Sequence, residues 1–280
     1  MDEKICCPFG NLKNVVLVTD ASQSDDILVQ TAIKIAQCCQ ATLHVLCYAE
    51  ISHLLADVWE SVPYVSDVVE QRVDTKLKQI KETCIQKNIP VKTTCFIGEG
   101  PEEYIIKEAK AIGADLIVMG RMRSPLRLLK KKIIGGAPCD VLIIPLEVKS
   151  FEINKILVAT DGSLQSRVAV EKAMEIAQNL GIPMIVMSVA KKLENLPYAE
   201  EAVNSAAKEA EARGIKVERE VLQGEPFKMI LERGENSDVG LLVLGKYGRT
   251  GLERLLIGSV SERVASFSSK PILVTTKKGA

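Results

Sequence analysis

The chain is written twice, and this constrains it more than any other feature. From Asn14 to Tyr48 it reads NVVLVTDASQSDDILVQTAIKIAQCCQATLHVLCY. From Lys155 to Val189, 141 residues on, it reads KILVATDGSLQSRVAVEKAMEIAQNLGIPMIVMSV. Thr19-Asp20 falls on Thr160-Asp161, Ser22 on Ser163, Ala32 on Ala173, and Ile35-Ala36-Gln37 on Ile176-Ala177-Gln178, with no gap. A repeat of this length is one structural unit used twice. With 280 residues the chain has room for two ordinary domains. The charged stretch 147–152, between Pro145 and Ile153, is the expected boundary, giving domains 1–149 and 150–280.

Each copy alternates two periodicities. Val15–Val18 and Leu43–Cys47 are short runs rich in branched apolar residues and predict strands. Between them Ile27, Leu28, Thr31, Ala32, Ile35, Ala36 and Cys39 recur at helical spacing. The order continues through a helix near 65–88, a strand at Val91–Ile97, a helix opened by Pro101, and strands at Leu116–Met119 and Val141–Ile144. The second copy repeats it with strands at Ile156–Ala159, Met184–Val189, Val217–Leu222, Leu241–Leu244 and Ile272–Thr275. Continuously apolar strands alternating with helices predict an α/β fold with a parallel sheet covered on both faces. Right-handed crossovers make each copy a doubly wound domain of about five strands.

Ligands of such sheets bind beyond the carboxyl ends of the strands. In the second copy several distinctive residues fall there. Asp161 follows the first strand, Val189 ends the second, and Gly245 ends the fourth. The spacing from Gly245 is G-x-x-G-x(9)-G-S, taking in Gly248, Gly258 and Ser259. Ser259 and Glu262 read as a capping box that opens a helix. Glycines admit a close backbone approach, and a helix N-terminus offers unpaired N–H donors with partial positive charge. The pattern is suited to a phosphate. Neither a P-loop nor the dinucleotide G-x-G-x-x-G is present.

This motif, with T-D-G-S after the first strand, resembles the ATP-binding type of the universal stress protein family across nearly the whole chain. The resemblance implies an adenine nucleotide alpha hydrolase-like fold. It implies that ATP or AMP binds at Ala159, Thr160, Asp161, Val189, Leu244, Gly245, Gly248, Gly258, Ser259 and Val260. It also implies pairing of the two copies through their final strands, as a pseudo-dimer. The expected role is a regulatory, stress-response binding module. The alternatives are slow Mg-dependent ATP hydrolysis, with Asp161 helping to hold the metal through the phosphates, and a scaffold or thiol sensor built on the first copy.

The first copy departs from the motif. Gly120 matches Gly245, but Arg123 stands where Gly248 would, and Gly135-Gly136 runs into Ala137-Pro138 with no Gly-Ser pair. It is not expected to bind ATP in the same way. Arg121, Arg123, Arg127, Lys130, Lys131 and Lys132 form a basic cluster, read as a solvated face, with an anion or acidic-partner site as the alternative.

Lysine plus arginine and aspartate plus glutamate both number 36, so no net field favours nucleic acid. No apolar run is long enough to span a bilayer, and a cytoplasmic protein is expected. The eight cysteines show no zinc spacing. They read as small apolar side chains in a reducing compartment, with a redox-sensing thiol at Cys6 or Cys7 as the alternative. His44 alternates within a strand and reads as packing; His53, Trp59 and Tyr64 are assigned to a loop. A partner protein and further homodimerisation are left open.

Overall fold

The computed structural model describes residues 7–21, 26–50, 63–98, 100–120, 127–236, 238–248 and 257–277. The first copy contributes β1 (Asn14–Thr19), α1 (Asp26–Cys39), β2 (Thr42–Glu50), α2 (Pro63–Gln86), β3 (Val91–Gly98), α3 (Pro101–Ile112), β4 (Leu116–Gly120), α4 (Arg127–Gly136) and β5 (Asp140–Ile144). The second contributes β6 (Ile156–Ala159), α5 (Leu164–Leu180), β7 (Met184–Ala190), α6 (Leu196–Ala212), β8 (Val217–Gln223), α7 (Pro226–Gly234), β9 (Leu241–Gly245), α8 (Ser259–Phe267) and β10 (Ile272–Thr275). A single 3₁₀ turn, Leu193–Asn195, precedes α6.

All ten strands share one sheet in the order β3-β2-β1-β4-β5-β10-β9-β6-β7-β8. Within each copy the pairings are parallel. The central pairing, β5 with β10, is antiparallel and sets Ile143, Leu142 and Val141 against Ile272, Leu273 and Val274. The copies are therefore joined through their final strands, as the resemblance implied.

Residue alternation assigns the two faces. Val15 and Leu17 enter one core with the buried faces of α1, α2, α5 and α6, while Val16 and Val18 enter the other with α3, α4, α7 and α8. Successive strand side chains point to opposite sides, so a run without polar residues needs cover on both. Each core takes side chains from both copies, so burial runs across the boundary between them.

Local chemistry sets the element ends. Ser163 caps α5 by accepting a hydrogen bond from Ser166 N, and Gly181 closes that helix at φ 64°, donating to Ala177 O and Gln178 O. Pro101 begins α3, and Gly113 ends it.

Three expectations change. The first is one of detail: the first copy has a helix before its last strand, α4, which the sequence left unassigned and which no Gly-Ser pair opens. Gly136 ends this helix and packs there: a Cβ on it would lie 2.5 Å from Ile106 Cδ1. Second, Cys7 and Cys39 form a disulfide, against the expectation of eight reduced thiols. The two lie far apart in sequence, and the turn that begins the fold brings them together. Cys47, Cys84 and Cys139 are buried as expected, whereas Cys38 is half-buried and Cys95 exposed. Third, Ser259 is not the cap of its helix, as described below. His44 is buried and its Nε2 lies 3.1 Å from Asn14 Oδ1. Burial lowers its pKa, with Lys92 adding to the effect. Cys6, His53, Trp59 and Ser22 lie outside the described residues, as does the Tyr64 side chain.

Candidate functional site

The second copy's site is assembled at the carboxyl ends of β6, β7 and β9. The first part is the turn from β6 into α5. Thr160 N donates to Met187 O, fastening the strand end to β7. Its Oγ1 accepts from Gly162 N at 3.2 Å and lies 3.0 Å from Ser166 Oγ. Asp161 Oδ1 accepts from Ser163 N at 3.0 Å, making a short side-chain turn. Gly162 sits at φ 77°, where a side chain is unfavourable. The first copy repeats this turn: Thr19 Oγ1 accepts from Ala21 N at 3.0 Å, and Ala21 keeps a φ of 57° although it is not glycine.

The second part is the glycine segment after β9. Each glycine meets a specific neighbour. A Cβ on Gly245 would lie 2.8 Å from Gln165 O and 3.2 Å from Ser166 N, so the first turn of α5 closes against the strand end. A Cβ on Gly248 would lie 2.8 Å from Asp161 Oδ2. One on Gly258 would lie 3.3 Å from both Lys246 O and Tyr247 Cα. Gly258 N donates to Lys246 O at 2.8 Å, closing the ends of the segment on each other. Asp161, Gly248 and Gly258 are thus contiguous, although they span 97 residues of sequence. Residues 249–256 lie outside the described set.

The third part is the start of α8. Gly258 is the N-cap, at φ −62° and ψ 146°, and Glu262 N donates to Gly258 O at 2.8 Å. This displaces the expected capping box by one residue. Ser259 becomes the first helical residue, exposed and without a capping bond from its side chain. The residue that anchors the helix is Ser261, whose Oγ donates to Gly245 O at 2.7 Å in a buried position. Sequence reasoning passed over Ser261 because a serine inside a helical run carries no spacing signal of its own. It bonds Gly245 of the motif and lies three residues after Gly258. Ser261→Ala leaves the Gly245 carbonyl without this donor. It is expected to cost about 1–2 kcal/mol, read as a lower urea midpoint with an unchanged slope.

The remaining predicted residues divide by position. Ala159 and Val189 are half-buried and pack against the second core, as does Val260. The register puts Ala159 opposite Met187, so Val189 lies past the last pair with β6. Leu244 is buried, and its carbonyl accepts from Thr275 Oγ1 at 3.3 Å. Thr160 is buried and its hydroxyl is engaged with Gly162 and Ser166, a structural use.

A cavity of about 770 Å³ opens beside this arrangement. It shares Thr160 and Gly162 with the site, then runs between α5 and α6 past Arg167, Glu171, Tyr198 and Glu201. Asp161, Gly248 and Gly258 do not line it. The glycine segment is therefore distinct from the cavity's lining.

The first copy reaches this region at two points. Lys131, on α4, pairs with Glu262 of α8 at 3.0 Å. Lys246, between Gly245 and Gly248, extends back toward the first copy, where its Nζ lies 3.5 Å from Ala137 O. Lys132 pairs with Glu102. The basic cluster is thus partly neutralised by ion pairs. Arg121 and Arg123 lie outside the described residues, as do the side chains of Arg127 and Lys130.

With this geometry in hand, comparison with known proteins assigns the chain. Residues 11–145 and 152–276 each match the universal stress protein family. The chain belongs to the universal stress protein family. A universal stress protein of Methanocaldococcus jannaschii is 34% identical over 140 residues, covering 44% of this chain and 82% of that protein. One from Mycolicibacterium smegmatis is 23% identical over 291 residues, covering 93% of this chain and 96% of its own length. Among solved structures, a universal stress protein from Archaeoglobus fulgidus superposes with a TM-score of 0.70 at 21% identity, over 94% of this chain and 96% of that one. The shared tandem fold follows. Among the described residues of this universal stress protein, no helix is long and apolar enough to cross a membrane.

Proposed function

We propose that this universal stress protein binds one adenine nucleotide, ATP or AMP, in its second copy and acts as a regulatory binding module. The observation that carries the reading is the contiguity of Asp161, Gly248 and Gly258. It sets a carboxylate, a glycine turn and a helix N-terminus at one edge of the sheet. The Asp161 carboxylate would bond the ribose. The β7 main chain at Val189 would meet the adenine edge, next to Ala159, Thr160 and Leu244. The backbone of Gly245, Gly248, Gly258, Ser259 and Val260 would take the phosphates, because N–H donors and the helix dipole favour negative charge.

Magnesium would be held chiefly by the phosphates, with Asp161 as a single protein contact. Among the described residues no three His, Cys, Asp or Glu side chains gather as a metal site. The bound nucleotide would change the surface that residues 246–258 show to a protein partner. A ligand shifts such a segment only through differential binding to its states.

Supporting this, the first copy provides an internal comparison. It keeps the Thr19 turn, but its Gly136 closes a helix against Ile106 and does not open one. One nucleotide per chain is therefore expected. Acid extraction of the purified protein, followed by calorimetric titration with ATP and AMP, tests the reading. A stoichiometry near one supports it; no extracted nucleotide and no heat of binding for either ligand overturn it.

A further inference from the structure

Residues 7–12 form a short arm that belongs to the first copy by sequence but packs on the second. Phe9 is 2% exposed and Leu12 5% exposed, both in the core that α1 and α5 share. Three side chains of α5, at helical spacing along one stripe, meet the arm. Asn179 Nδ2 donates to Cys7 O at 3.2 Å and to Pro8 O at 3.4 Å. Lys172 Nζ donates to Phe9 O at 3.3 Å and to Glu175 Oε2 at 2.6 Å. Glu175 fills the space over Gly10, where a Cβ would fall 1.8 Å from its Oε1. Gly10 has a φ of 80°, a conformation that favours glycine. The arm's other attachment is covalent: Cys7 is bonded to Cys39, the last residue of α1, 32 positions away. Both cysteines are half-buried.

We infer that Cys7 and Cys39 are a reversible thiol–disulfide site whose oxidation straps the N-terminal arm between α1 of the first copy and α5 of the second. The chemistry balances with a low-molecular-weight disulfide as oxidant. The thiolate of one cysteine attacks that disulfide, forming a mixed disulfide and releasing one small thiol. The thiolate of the other attacks the protein sulfur and expels the second small thiol. The protein loses two hydrogens, and two thiols are produced. A dithiol reductant reverses both exchanges. The mechanical effect follows from what the arm touches. With the bond closed, the arm is tied covalently to the end of α1, and its Cys7, Pro8 and Phe9 carbonyls are kept over α5 of the second copy. With it open, the described contacts that remain include the burial of Phe9 and Leu12 and the hydrogen bonds from Asn179 and Lys172, and a segment so held opens locally at lower free-energy cost.

The test uses the full chain equilibrated with glutathione disulfide or with dithiothreitol, each state checked by peptide mapping for the Cys7–Cys39 link. Hydrogen exchange is then followed at the arm amides and at residues 172–180. The oxidised protein is expected to exchange at least about tenfold more slowly at Phe9–Leu12, with a smaller slowing along α5. Cys39→Ser is expected to exchange like the reduced protein under both conditions, and Asn179→Ala to keep the arm effect while losing that on α5. Absence of a linked peptide, a link between chains, or exchange that is the same in both states overturns the inference. Nucleotide affinity does not enter these readings, so they stand apart from the site of the second copy.

Discussion

Gly258→Val is expected to weaken ATP and AMP binding by about 100-fold, near 3 kcal/mol, while the protein stays folded. The argument is one of space. Gly258 has φ −62° and ψ 146°, an ordinary extended conformation, so a side chain is not excluded by the backbone. A Cβ there would stand 3.3 Å from Lys246 O and Tyr247 Cα, tighter than comfortable packing but tolerable with a small shift. The two methyl groups beyond it would take the space in which the proposed phosphates meet the backbone at the first turn of α8. Overpacking of this kind costs about 1–3 kcal/mol of stability. Calorimetric titration measures the affinity, and a thermal melt of the same sample reports the fold. Ser259→Ala, at an exposed position with no capping bond, is expected to leave the melt unchanged and provides the comparison. Wild-type affinity in Gly258→Val would show that the phosphates lie elsewhere.

Lys246→Met is expected to stabilise the protein at pH 7 by about 2 kcal/mol. Lys246 is 6% exposed and belongs to the segment that joins the cradle to the first copy. Burial is the main cause that lowers its pKa from 10.5 to about 8; Lys110 adds to this and Cys139 opposes it. Depression of that size corresponds to about 3 kcal/mol, from which the contacts to Ala137 O and the Tyr247 ring, 5.6 Å away, must be subtracted. The folded pKa lies below the unfolded one. Between pH 8 and about 10.5 the unfolded chain therefore holds a proton that the folded chain has released, and stability from this group rises with pH. Methionine keeps the apolar stem and removes the charge. Urea unfolding at pH 7 and pH 9.5 should show wild type gaining on the variant at the higher pH. A variant less stable than wild type at pH 7 would mean that the ammonium contributes more through its contacts than its burial costs.

The sequence made the fold legible because its signals were local or repeated. Strands such as Val15–Val18 and Leu241–Leu244 are apolar at every position, which only a sheet covered on both sides accommodates. The 141-residue offset then turned one reading into two. The glycine motif was legible for a similar reason: Gly245, Gly248 and Gly258 mark places where backbone meets something closely. What they meet was not legible. Asp161 lies against Gly248 and Gln165 against Gly245 through sheet order, which no spacing records.

The errors have the same origin. Ser259 and Glu262 have capping-box spacing, but Gly258 can adopt the cap geometry itself, and the serine with a partner is Ser261, bonded back to the strand. The disulfide went unseen because Cys7 and Cys39 meet only when the arm folds back toward the end of α1. Lys246 was passed over because a lysine beside a glycine turn ordinarily points to solvent.

The antiparallel seam of β5 and β10 has one further consequence. Two separate chains that met in this way would be identical, and any change to a binding residue would appear in both halves of the pair. Here the halves are covalently one molecule, so they mutate independently while always finding each other at equal numbers. The first half can lose its Gly-Ser helix start and take up a different task, such as receiving Lys246 and the Lys131–Glu262 pair, without leaving the second half unsupported. Duplication inside a single gene product thus converts a symmetric assembly into one with a division of labour.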